Sequence, residues 1–418
     1  MNGVPILAAQ AARRGWPAAA VLALALTAAA PATSPALAAT LHPAQIGSPD
    51  QADHWGFFFG DKNGGDGDVR PKPTGIGLPG AIAQLGTSNS TQYALLTDGS
   101  LWAWGQGAKG ELGDGGVANS FTTPVRVQFP PGVRIASIPT DAMPYDTGLA
   151  VDTSGHLWGW GLNRGGELCI GNKSEQLRPV EMTALAAPVT AVAGADEHLV
   201  AVANGTAESC GANTDGVSGD GQRGGPDNLS PVRVSGLSGQ RVVQVYSAFE
   251  NAGALTASGQ YYDWGMNQAG QLGTGKASGN GTAVPARVNL PDSFPVAQAA
   301  QGGSDAGNGQ TIVMLADGTM WAWGNDADSQ LGDGRTGMQA SPERIFAPAG
   351  VSYATVACGG ATCYGVTTGG DVYAWGANDH GEVGDGTRHT AKFPVLVDSG
   401  AALISATAGD VVVAAQGG

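Results

Sequence analysis

The stretch Thr311–Gly324 reads TIVMLADGTMWAWG and carries the pattern that decides the fold. A short apolar run is followed by the pair Asp317-Gly318 and then by a second run rich in Trp. Asp-Gly between two short apolar runs is a strong signal for a tight β-hairpin, because the turn needs positive φ. The stretch therefore predicts two antiparallel strands joined by a two-residue turn.

The same unit recurs along the chain. Five further copies begin at Tyr93, Thr147, His198, Ala252 and Cys363. In each copy the turn glycine is followed by two more glycines at fixed distances and then by a proline, as in Gly318, Gly324, Gly334 and Pro342. A unit of a few strands that repeats roughly every 50 residues predicts the blades of a β-propeller.

Each end of the chain carries half of this unit. The segment from His54 (HWGFFFGDKNGGDGDVRPKPTGI) matches the second half, and the segment from Leu403 (LISATAGDVVVAAQGG) matches the first half. Pairing the two halves would remove free sheet edges. We therefore expect an all-β, seven-bladed β-propeller with a split closing blade formed by both chain termini, and a single propeller domain over residues 54–418.

The first 38 residues have the three regions of a secretory signal. Arg13 and Arg14 supply positive charge, Ala18–Ala30 is apolar but too short to span a bilayer, and Ala36-Leu37-Ala38 fits signal peptidase. We expect a signal peptide at 1–38, a leader segment at 39–53 and a secreted or periplasmic protein after cleavage near Ala38. No membrane span is expected in the remainder.

Composition fits short strands joined by turns. The chain contains 68 glycines, only 13% of its residues are charged, and its formal net charge is −15. Glycine punctuation with few long charged side chains is typical of all-β domains. An acidic protein repels phosphate backbones, so no nucleic-acid partner is expected.

Four cysteines follow the signal segment, and export would permit disulfides. Cys358 and Cys363 lie close together in the Gly-rich stretch CGGATC, which makes a local disulfide plausible, and Cys169 would then pair with Cys210 by elimination. The alternative is that each is a free, small buried residue.

Aromatic residues alternate within the units, as in Trp102 and Trp104 or Trp321 and Trp323. Positions i and i+2 share one face of a strand, so these rings are predicted to fill the space between neighbouring blades. A sugar-stacking platform is the functional alternative.

The stretch WGMNQAGQLGTG from Trp264 and its near copy WGANDHGEVGDG from Trp375 resemble the repeat of the regulator of chromosome condensation family. The resemblance covers nearly all of the chain after the signal segment, and it implies a seven-bladed propeller, commonly with a split closing blade. Cys210 replaces the usual Trp of the repeat, and Cys169 replaces a turn glycine. His198 is the only match to a histidine often found before the second strand. The resemblance therefore does not predict how the side chains around Cys169, Cys210 and His198 pack.

No catalytic pattern stands out. The histidines are scattered, and HExxH, a Cys/His zinc spacing and GxSxG are all missing. We therefore expect no enzyme activity, no metal and no cofactor. The cluster Asp61, Asn63, Asp66 and Asp68 could hold Ca²⁺, but it coincides with the Gly-rich turn of every unit, and the turn interpretation is favoured.

Irregular loops are the better candidates for recognition. The loops before the hairpins differ most between units: Thr87–Thr91, Pro139–Tyr145, Ser247–Asn251 and Gly302–Gln310. If the units are in register, these loops gather on one face, where we select Tyr145, Tyr246, Phe249 and Glu250 as binding residues. The alternative is that they are ordinary solvated loops.

The sequence thus favours a non-enzymatic interaction module, monomeric, that binds an extracellular or envelope protein through one propeller face. Inhibition of an extracellular enzyme is one variant of this function. Two alternatives remain. The first is nucleotide exchange on a small GTPase, which the family resemblance implies. The second is carbohydrate binding.

Overall fold

The computed structural model describes residues 51–58, 68–89, 91–139, 143–303, 309–345, 347–406 and 410–415. These residues fall within one compact unit and form strands and turns, with no α-helix among them. In these ranges nothing has the helical length and apolar character that crossing a membrane requires.

The described part begins with two strands, β1 (Gln51–Phe58) and β2 (Asp68–Gly77). Three four-stranded antiparallel sheets then follow, each with its strands in chain order. Sheet 1 contains β3 (Ile82–Thr87), β4 (Thr91–Leu96), β5 (Leu101–Gly105) and β6 (Ser120–Arg126). Sheet 2 contains β7 (Ile135–Ser137), β8 (Thr147–Asp152), β9 (Leu157–Gly161) and β10 (Gln176–Glu181). Sheet 3 contains β11 (Val189–Ala195), β12 (His198–Ala203), β13 (Thr206–Gly211) and β14 (Asn228–Arg233).

Three more sheets repeat this order. Sheet 4 contains β15 (Val242–Ala248), β16 (Asn251–Thr256), β17 (Tyr261–Asn267) and β18 (Ser278–Arg287). Sheet 5 contains β19 (Val296–Gly302), β20 (Gln310–Leu315), β21 (Met320–Asp326) and β22 (Gly337–Ile345). Sheet 6 contains β23 (Tyr353–Cys358), β24 (Thr362–Thr367), β25 (Val372–Gly376) and β26 (Ala391–Asp398).

The last sheet combines both ends of the chain. Its order is β2-β1-β28-β27, where β27 is Ala401–Ala406 and β28 is Asp410–Ala415. We call it the composite sheet. Antiparallel pairing places Ala52 opposite Ala414 and Gly56 opposite Asp410. Because Ala52 and Asp53 take part in this pairing, β1 begins at Gln51, ahead of the boundary expected at His54.

Neighbouring sheets meet through their first strands. Contacts join β15 with β19, β19 with β23 and β27 with β3, whereas fourth strands such as β18 are largely exposed. First strands therefore surround a common axis and fourth strands form the rim, which confirms the predicted all-β propeller class.

The hairpin turns are of two kinds. Asn204 and Gly205 both have positive φ (49° and 76°), and Ala203 pairs with Thr206, so this turn has two residues as expected. At Asp317-Gly318 only the glycine has positive φ, and Leu315 N–H donates to Thr319 O at 2.8 Å. That turn has three residues, and the two-residue prediction is wrong there. Only the αL position of a three-residue turn requires glycine, so Asp317 keeps negative φ.

In five of the described sheets one tryptophan of the unit has a fully buried ring, and its Nε1–H donates to a backbone carbonyl of the preceding sheet. The pairs are Trp55 with Glu382, Trp160 with Glu111, Trp264 with Val217, Trp323 with Gln271 and Trp375 with Gln330, at 2.7–3.0 Å. The other aromatic, such as Trp321 or Trp102, is half-buried at the edge of the same clusters. The prediction that these rings fill the space between sheets is confirmed.

A glycine faces each of these rings. A Cβ built on Gly273 would lie 2.8 Å from Trp323 Nε1, and the contact is the same at Gly113, Gly219, Gly332 and Gly384. The glycine two residues before the third glycine of the repeat is therefore required for the close approach of the indole as well as for its positive φ.

The junction between sheets 2 and 3 replaces this pair with a disulfide. Cys210 occupies the Trp position and Cys169 the glycine position, and their Cα atoms are 5.7 Å apart in the disulfide. Cys169 keeps the positive φ of the replaced glycine, 53°. The second predicted disulfide, between Cys358 and Cys363, links two residues that pair directly across β23 and β24. Both predicted disulfides are confirmed.

Candidate functional site

A cavity lies where the first-to-second-strand turns of all the sheets converge. Every sheet contributes at least one lining residue: Asn89, Met143, Tyr145, Ala195, Ala248, Phe249, Gln301, Gly302, Gly303, Cys358, Gly359 and Ala406. We call it the axial cavity, and the face that carries these turns the axial face. Its volume is about 30 Å³, enough for a water-sized group, and it opens to solvent.

The turns that form this face are fixed at their ends by the regular part of the repeat. Leu162 N–H donates to Asp146 O at 2.8 Å, and Met266 N–H donates to Glu250 O at 2.9 Å. Each bond ties the residue before a second strand to the end of the third strand. Asp146 and Phe249 have positive φ values of 51° and 40°, which non-glycine residues seldom adopt. Strongly anchored turns with unusual backbone angles are typical of functional loops.

Three of the four predicted binding residues meet here. Tyr145 and Phe249 line the axial cavity, and Glu250 directly follows Phe249; all three are half-buried. Tyr246 does not join them, because it points into the core with 4% of its surface exposed. Its hydroxyl accepts from Ala299 N–H at 3.2 Å, and its ring packs against Tyr261. Its selection as a binding residue is therefore wrong, since β15 turns its side chain toward sheet 5.

The predicted loops contribute unequally. Asn89 of Thr87–Thr91 and Gly302 and Gly303 of Gly302–Gln310 line the cavity. Residues 90, 140–142 and 304–308 of the predicted loops lie outside the described residues. In Ser247–Asn251 three residues, Ser247, Ala248 and Asn251, are buried, so only Phe249 and Glu250 are partly exposed.

The candidate calcium cluster cannot be placed. Asp61, Asn63 and Asp66 lie outside the described residues, and Asp68 begins β2. Within the described ranges no group of three or more His, Cys, Asp or Glu side chains is arranged to hold a metal ion.

Carboxylates surround the cavity, and two of them were missed by the sequence analysis. Asp146 follows the lining residue Tyr145, Asp196 follows Ala195, and Glu250 follows Phe249. Burial raises the pKa of Asp146 and of Asp196. Burial, a hydrogen bond with Asp215 and repulsion from Asp196 raise the pKa of Glu250 to about 7. Aligning the units would have found Asp146, because Asp146, Glu197 and Glu250 all stand immediately before a second strand, whereas Asp196 stands one residue earlier.

The acidic residue immediately before the second strand faces a different charge at each junction between sheets. Arg164 of sheet 2 forms an ion pair with Glu197 of sheet 3. At the next junction Glu250 of sheet 4 faces Asp215 of sheet 3, whose own ion pair is with Arg223. Asp146, Asp196 and Glu250 form no ion pair with another described residue. Repulsion among these carboxylates is partly offset, because Arg164 acts to lower the pKa of Asp146 and Asp196, and Arg223 acts to lower that of Glu250.

Gln301 is the most buried polar residue in the cavity wall. It is 2% exposed, and its Nε2 donates to Tyr261 Oη and Asp263 Oδ1, each at 3.0 Å. Asp263 is fully buried, and desolvation raises its pKa well above the usual range. Because both donor positions of the amide are used, Oε1 is left as the free acceptor, and it has no hydrogen-bond partner.

His198 and Ser247 form a pair that resembles a nucleophile and its base. His198 Nε2 lies 2.8 Å from Ser247 Oγ, which donates to Asn251 O at 3.0 Å. Both side chains are at most 1% exposed, and burial lowers the pKa of His198 to about 3. Because both side chains are buried away from solvent, the pair bridges sheets 3 and 4 as a structural contact.

Comparison with known proteins identifies the repeat. The family model described as the regulator of chromosome condensation (RCC1) repeat matches residues 98–139, 154–202, 258–304, 317–366 and 369–415, together more than half of the chain. A second model of the same description matches residues 353–382. The stretch between 202 and 258, which is not matched, holds the unit in which Cys210 replaces Trp.

Similar proteins carry out varied roles. The ultraviolet-B receptor UVR8 of Arabidopsis thaliana is 28% identical over 341 residues, covering 80% of this chain and 74% of that protein. The E3 ubiquitin-protein ligase HERC2 of Homo sapiens is 30% identical over 318 residues, which are 75% of this chain but only 6% of HERC2.

Solved structures show the same fold. The crystal structure of human WBSCR16 superposes with a TM-score of 0.75 at 22% identity, covering 88% of this chain and 99% of that one. Prp20p from Saccharomyces cerevisiae gives a TM-score of 0.75 at 19% identity, covering 88% of this chain and 92% of that one.

Proposed function

Because the chain belongs to the regulator of chromosome condensation repeat family, we propose that it is a non-enzymatic, monomeric interaction module that docks a protein partner on its axial face. One observation carries this proposal. Irregular side chains from every sheet, Tyr145 and Phe249 among them, converge on a single face, whereas the Trp and Gly positions repeat at the junctions. The structure of Prp20p is reported with its binding properties to Gsp1p and histones, so protein docking has a precedent on this fold.

The partner is an extracellular or envelope protein in this proposal, and inhibition of an extracellular enzyme is one form the interaction could take. Two disulfides in one chain support an oxidising compartment. The signal-like segment that ends near Ala38 supports export.

A matched pair of substitutions tests the docking face. Phe294 is 52% exposed and lies beside Pro295, which packs on the hairpin turn at Gly259, at the opposite end of the strands from the axial turns. The exported protein is immobilised and exposed to the secreted and envelope fraction, beside its Phe249→Ser and Phe294→Ser variants. Saturable capture of a protein that Phe249→Ser loses and Phe294→Ser keeps is the expected result. Capture that survives Phe249→Ser, or that is confined to glycans, would contradict the proposal.

We also propose that the composite sheet is the closing blade of a seven-bladed ring. Support comes from its contacts on both sides. Trp55 donates to Glu382 O of sheet 6 at 2.9 Å, and Ser405 Oγ lies 3.0 Å from Thr87 Oγ1 of sheet 1.

The register of β1 against β28 gives the test of ring closure. In an Ala52→Cys/Ala414→Cys variant, oxidation should link the two opposed positions. Proteolysis followed by mass spectrometry should then find one disulfide-linked peptide from both ends of the chain. Recovery of the two new cysteines unlinked, under conditions that keep both native disulfides, would argue against a split blade.

A further inference from the structure

The two disulfides occupy different kinds of position. Cys169–Cys210 joins sheets 2 and 3 across 41 residues, and both cysteines are at most 1% exposed. Cys358–Cys363 closes a separation of only 5 residues inside one hairpin, between directly opposed residues of β23 and β24. A cross-link over so short a separation removes little chain entropy from the unfolded state, so the propeller can keep its fold without it.

The hairpin disulfide also belongs to the axial face. Of the four cysteines, Cys358 is the one that lines the axial cavity, and it is the most exposed at 5%. Its neighbour Gly359 lines the cavity as well, and the turn continues with Gly360. Two glycines in a short turn give the backbone the freedom to open locally. A reductant that enters the cavity therefore reaches this disulfide more easily than Cys169–Cys210.

The hairpin disulfide lies where other sheets bond to a neighbour. Three sheets use the residue equivalent to Cys358 for this purpose: Thr87 bonds with Ser405, Ser247 with His198, and Gln301 with Asp263. Cys358 is instead bonded within its own hairpin, and Gln310 of sheet 5 supplies the link at this junction. Gln310 Nε2 donates to Gly360 O at 2.8 Å and lies 3.8 Å from Cys363 Sγ. The disulfide therefore fixes the turn that receives this link.

Reduction would disturb this turn for a steric reason. Two thiols need more room than the disulfide they form, because atoms that are not bonded to each other lie about 3.5 Å or more apart. Cys363 is 0% exposed and belongs to the same core cluster as Trp375, so its sulfur has little space to move into. The movement therefore falls on Cys358 and Gly359, which line the cavity, and on the bond from Gln310.

From these observations we infer that the Cys358–Cys363 disulfide is a redox-sensitive switch of the axial face, which a dithiol reductant opens while the propeller stays folded. Opening the turn rearranges the cavity wall and weakens partner docking. This last consequence rests on the docking function proposed above.

The exchange reaction has two steps. A thiolate of the dithiol attacks Cys358 Sγ to form a mixed disulfide, and Cys363 leaves with the electron pair as a thiolate, which then takes up a proton. The N–H of Gln310 that contacts Cys363 Sγ favours this leaving thiolate. The second thiolate of the reductant then displaces Cys358, which also takes up a proton, and the dithiol is oxidised to a disulfide.

The first experiment measures which disulfide is reduced first. The purified protein is titrated with dithiothreitol without denaturant, free thiols are alkylated, and peptide mass spectrometry assigns each modified cysteine. We expect Cys358 and Cys363 to react at a dithiothreitol concentration about tenfold below that needed for Cys169 and Cys210, because the shorter cross-link costs less to lose. Circular dichroism should stay unchanged over that interval. Reduction of both disulfides together, or only with loss of the circular dichroism signal, would overturn the inference.

Hydrogen exchange shows whether reduction opens the turn. Gly359 N–H donates to Thr362 O at 2.9 Å, so its exchange rate reports local opening. Selective reduction should speed exchange about tenfold in peptides that cover Gly359 and Gly360, and it should leave sheet 2 unchanged. An unchanged rate at Gly359 after reduction would contradict the switch.

Two double variants assign the response to the hairpin disulfide. Cys358→Ala/Cys363→Ala should exchange at the same rate with and without dithiothreitol, because it has no bond at this place to reduce. Cys169→Ala/Cys210→Ala is the matched control and should keep the wild-type response at Gly359. A response that persists in the first variant would show that dithiothreitol acts elsewhere.

Partner capture gives the functional readout. The protein is reduced selectively, freed of dithiothreitol and exposed to the secreted and envelope fraction beside the oxidised protein. Reduction should weaken capture about tenfold, within the usual range of coupling between two sites, and reoxidation should restore it.

The docking proposal and the switch fail separately. If capture does not depend on Phe249, the docking proposal is wrong, while hydrogen exchange, which needs no partner, still decides whether reduction opens the turn. If capture depends on Phe249 but is equal in both redox states, docking stands and the inferred switch is wrong.

Discussion

The sheet junctions and the axial face belong to the same repeats but follow opposite rules. At the junctions the same two residues recur, a fully buried Trp and a glycine that leaves room for it, as at Trp323 and Gly273. On the axial face no two described sheets supply the same set of lining residues, and repulsion between neighbouring carboxylates helps to raise the pKa of Glu250. Repetition marks the residues that hold the propeller together, and irregularity marks those available for binding.

The largest effect is expected from breaking a regular junction. Trp323→Ala removes a fully buried indole and its hydrogen bond to Gln271 O, which should lower the free energy of unfolding by about 3–5 kcal/mol. Trp321→Ala, at the half-buried partner position, should cost about 1–2 kcal/mol. Urea denaturation of the two variants measures both values. Equal losses would mean that the junction does not depend on the buried ring.

The disulfide junction offers the next largest effect. Cys169 and Cys210 are 41 residues apart, and removing the bond with a Cys169→Ala/Cys210→Ala variant should cost about 2–4 kcal/mol. The bond between Cys358 and Cys363 closes a separation of only 5 residues, so the corresponding double alanine variant should cost less, about 2 kcal/mol. The reverse order in denaturation experiments would show that sheets 2 and 3 are held together by other contacts.

A smaller, pH-dependent effect should come from the loops that pack against the next sheet. Glu167 Oε2 accepts from Gly165 N–H, and Gln271 Oε1 accepts from Ala269 N–H at the equivalent place. Burial raises the pKa of Glu167 from 4.5 to about 7, so the folded state binds a proton that the unfolded state has already lost. The protonated form contributes full stability below pH 4.5, and this contribution is lost as the pH rises to 7.

Exchanging these two residue types tests that explanation. Glu167→Gln should leave stability unchanged at pH 4 and raise it by about 1–2 kcal/mol at pH 8, because glutamine keeps the acceptor without the charge. Gln271→Glu should leave stability unchanged at pH 4 and lower it at pH 8, because the introduced carboxylate is charged only at the higher pH. Thermal unfolding at the two pH values is the measurement, and a change that is the same at both would rule out titration as its cause.

The sequence predicted the junctions better than the axial face. The hairpins, the buried Trp ring and both disulfides follow from spacing within one unit or from matching units. Tyr246 was assigned wrongly because its strand end resembles a loop in sequence, although its ring packs against Tyr261. Gln301 was missed because its partner Asp263 is 38 residues away in the neighbouring sheet. No local sequence pattern predicts a contact over that distance.

The most direct measurement of the central claim is site-specific photo-crosslinking. A photoreactive phenylalanine analogue is placed at Phe249 on the axial face or at Phe294 on the opposite side, and each purified variant is illuminated with the secreted and envelope fraction. We predict a discrete protein adduct from position 249 that excess unlabelled wild-type protein competes away, and no such adduct from position 294. A competable adduct from position 294, with none from position 249, would contradict the assignment of the axial face as the docking site.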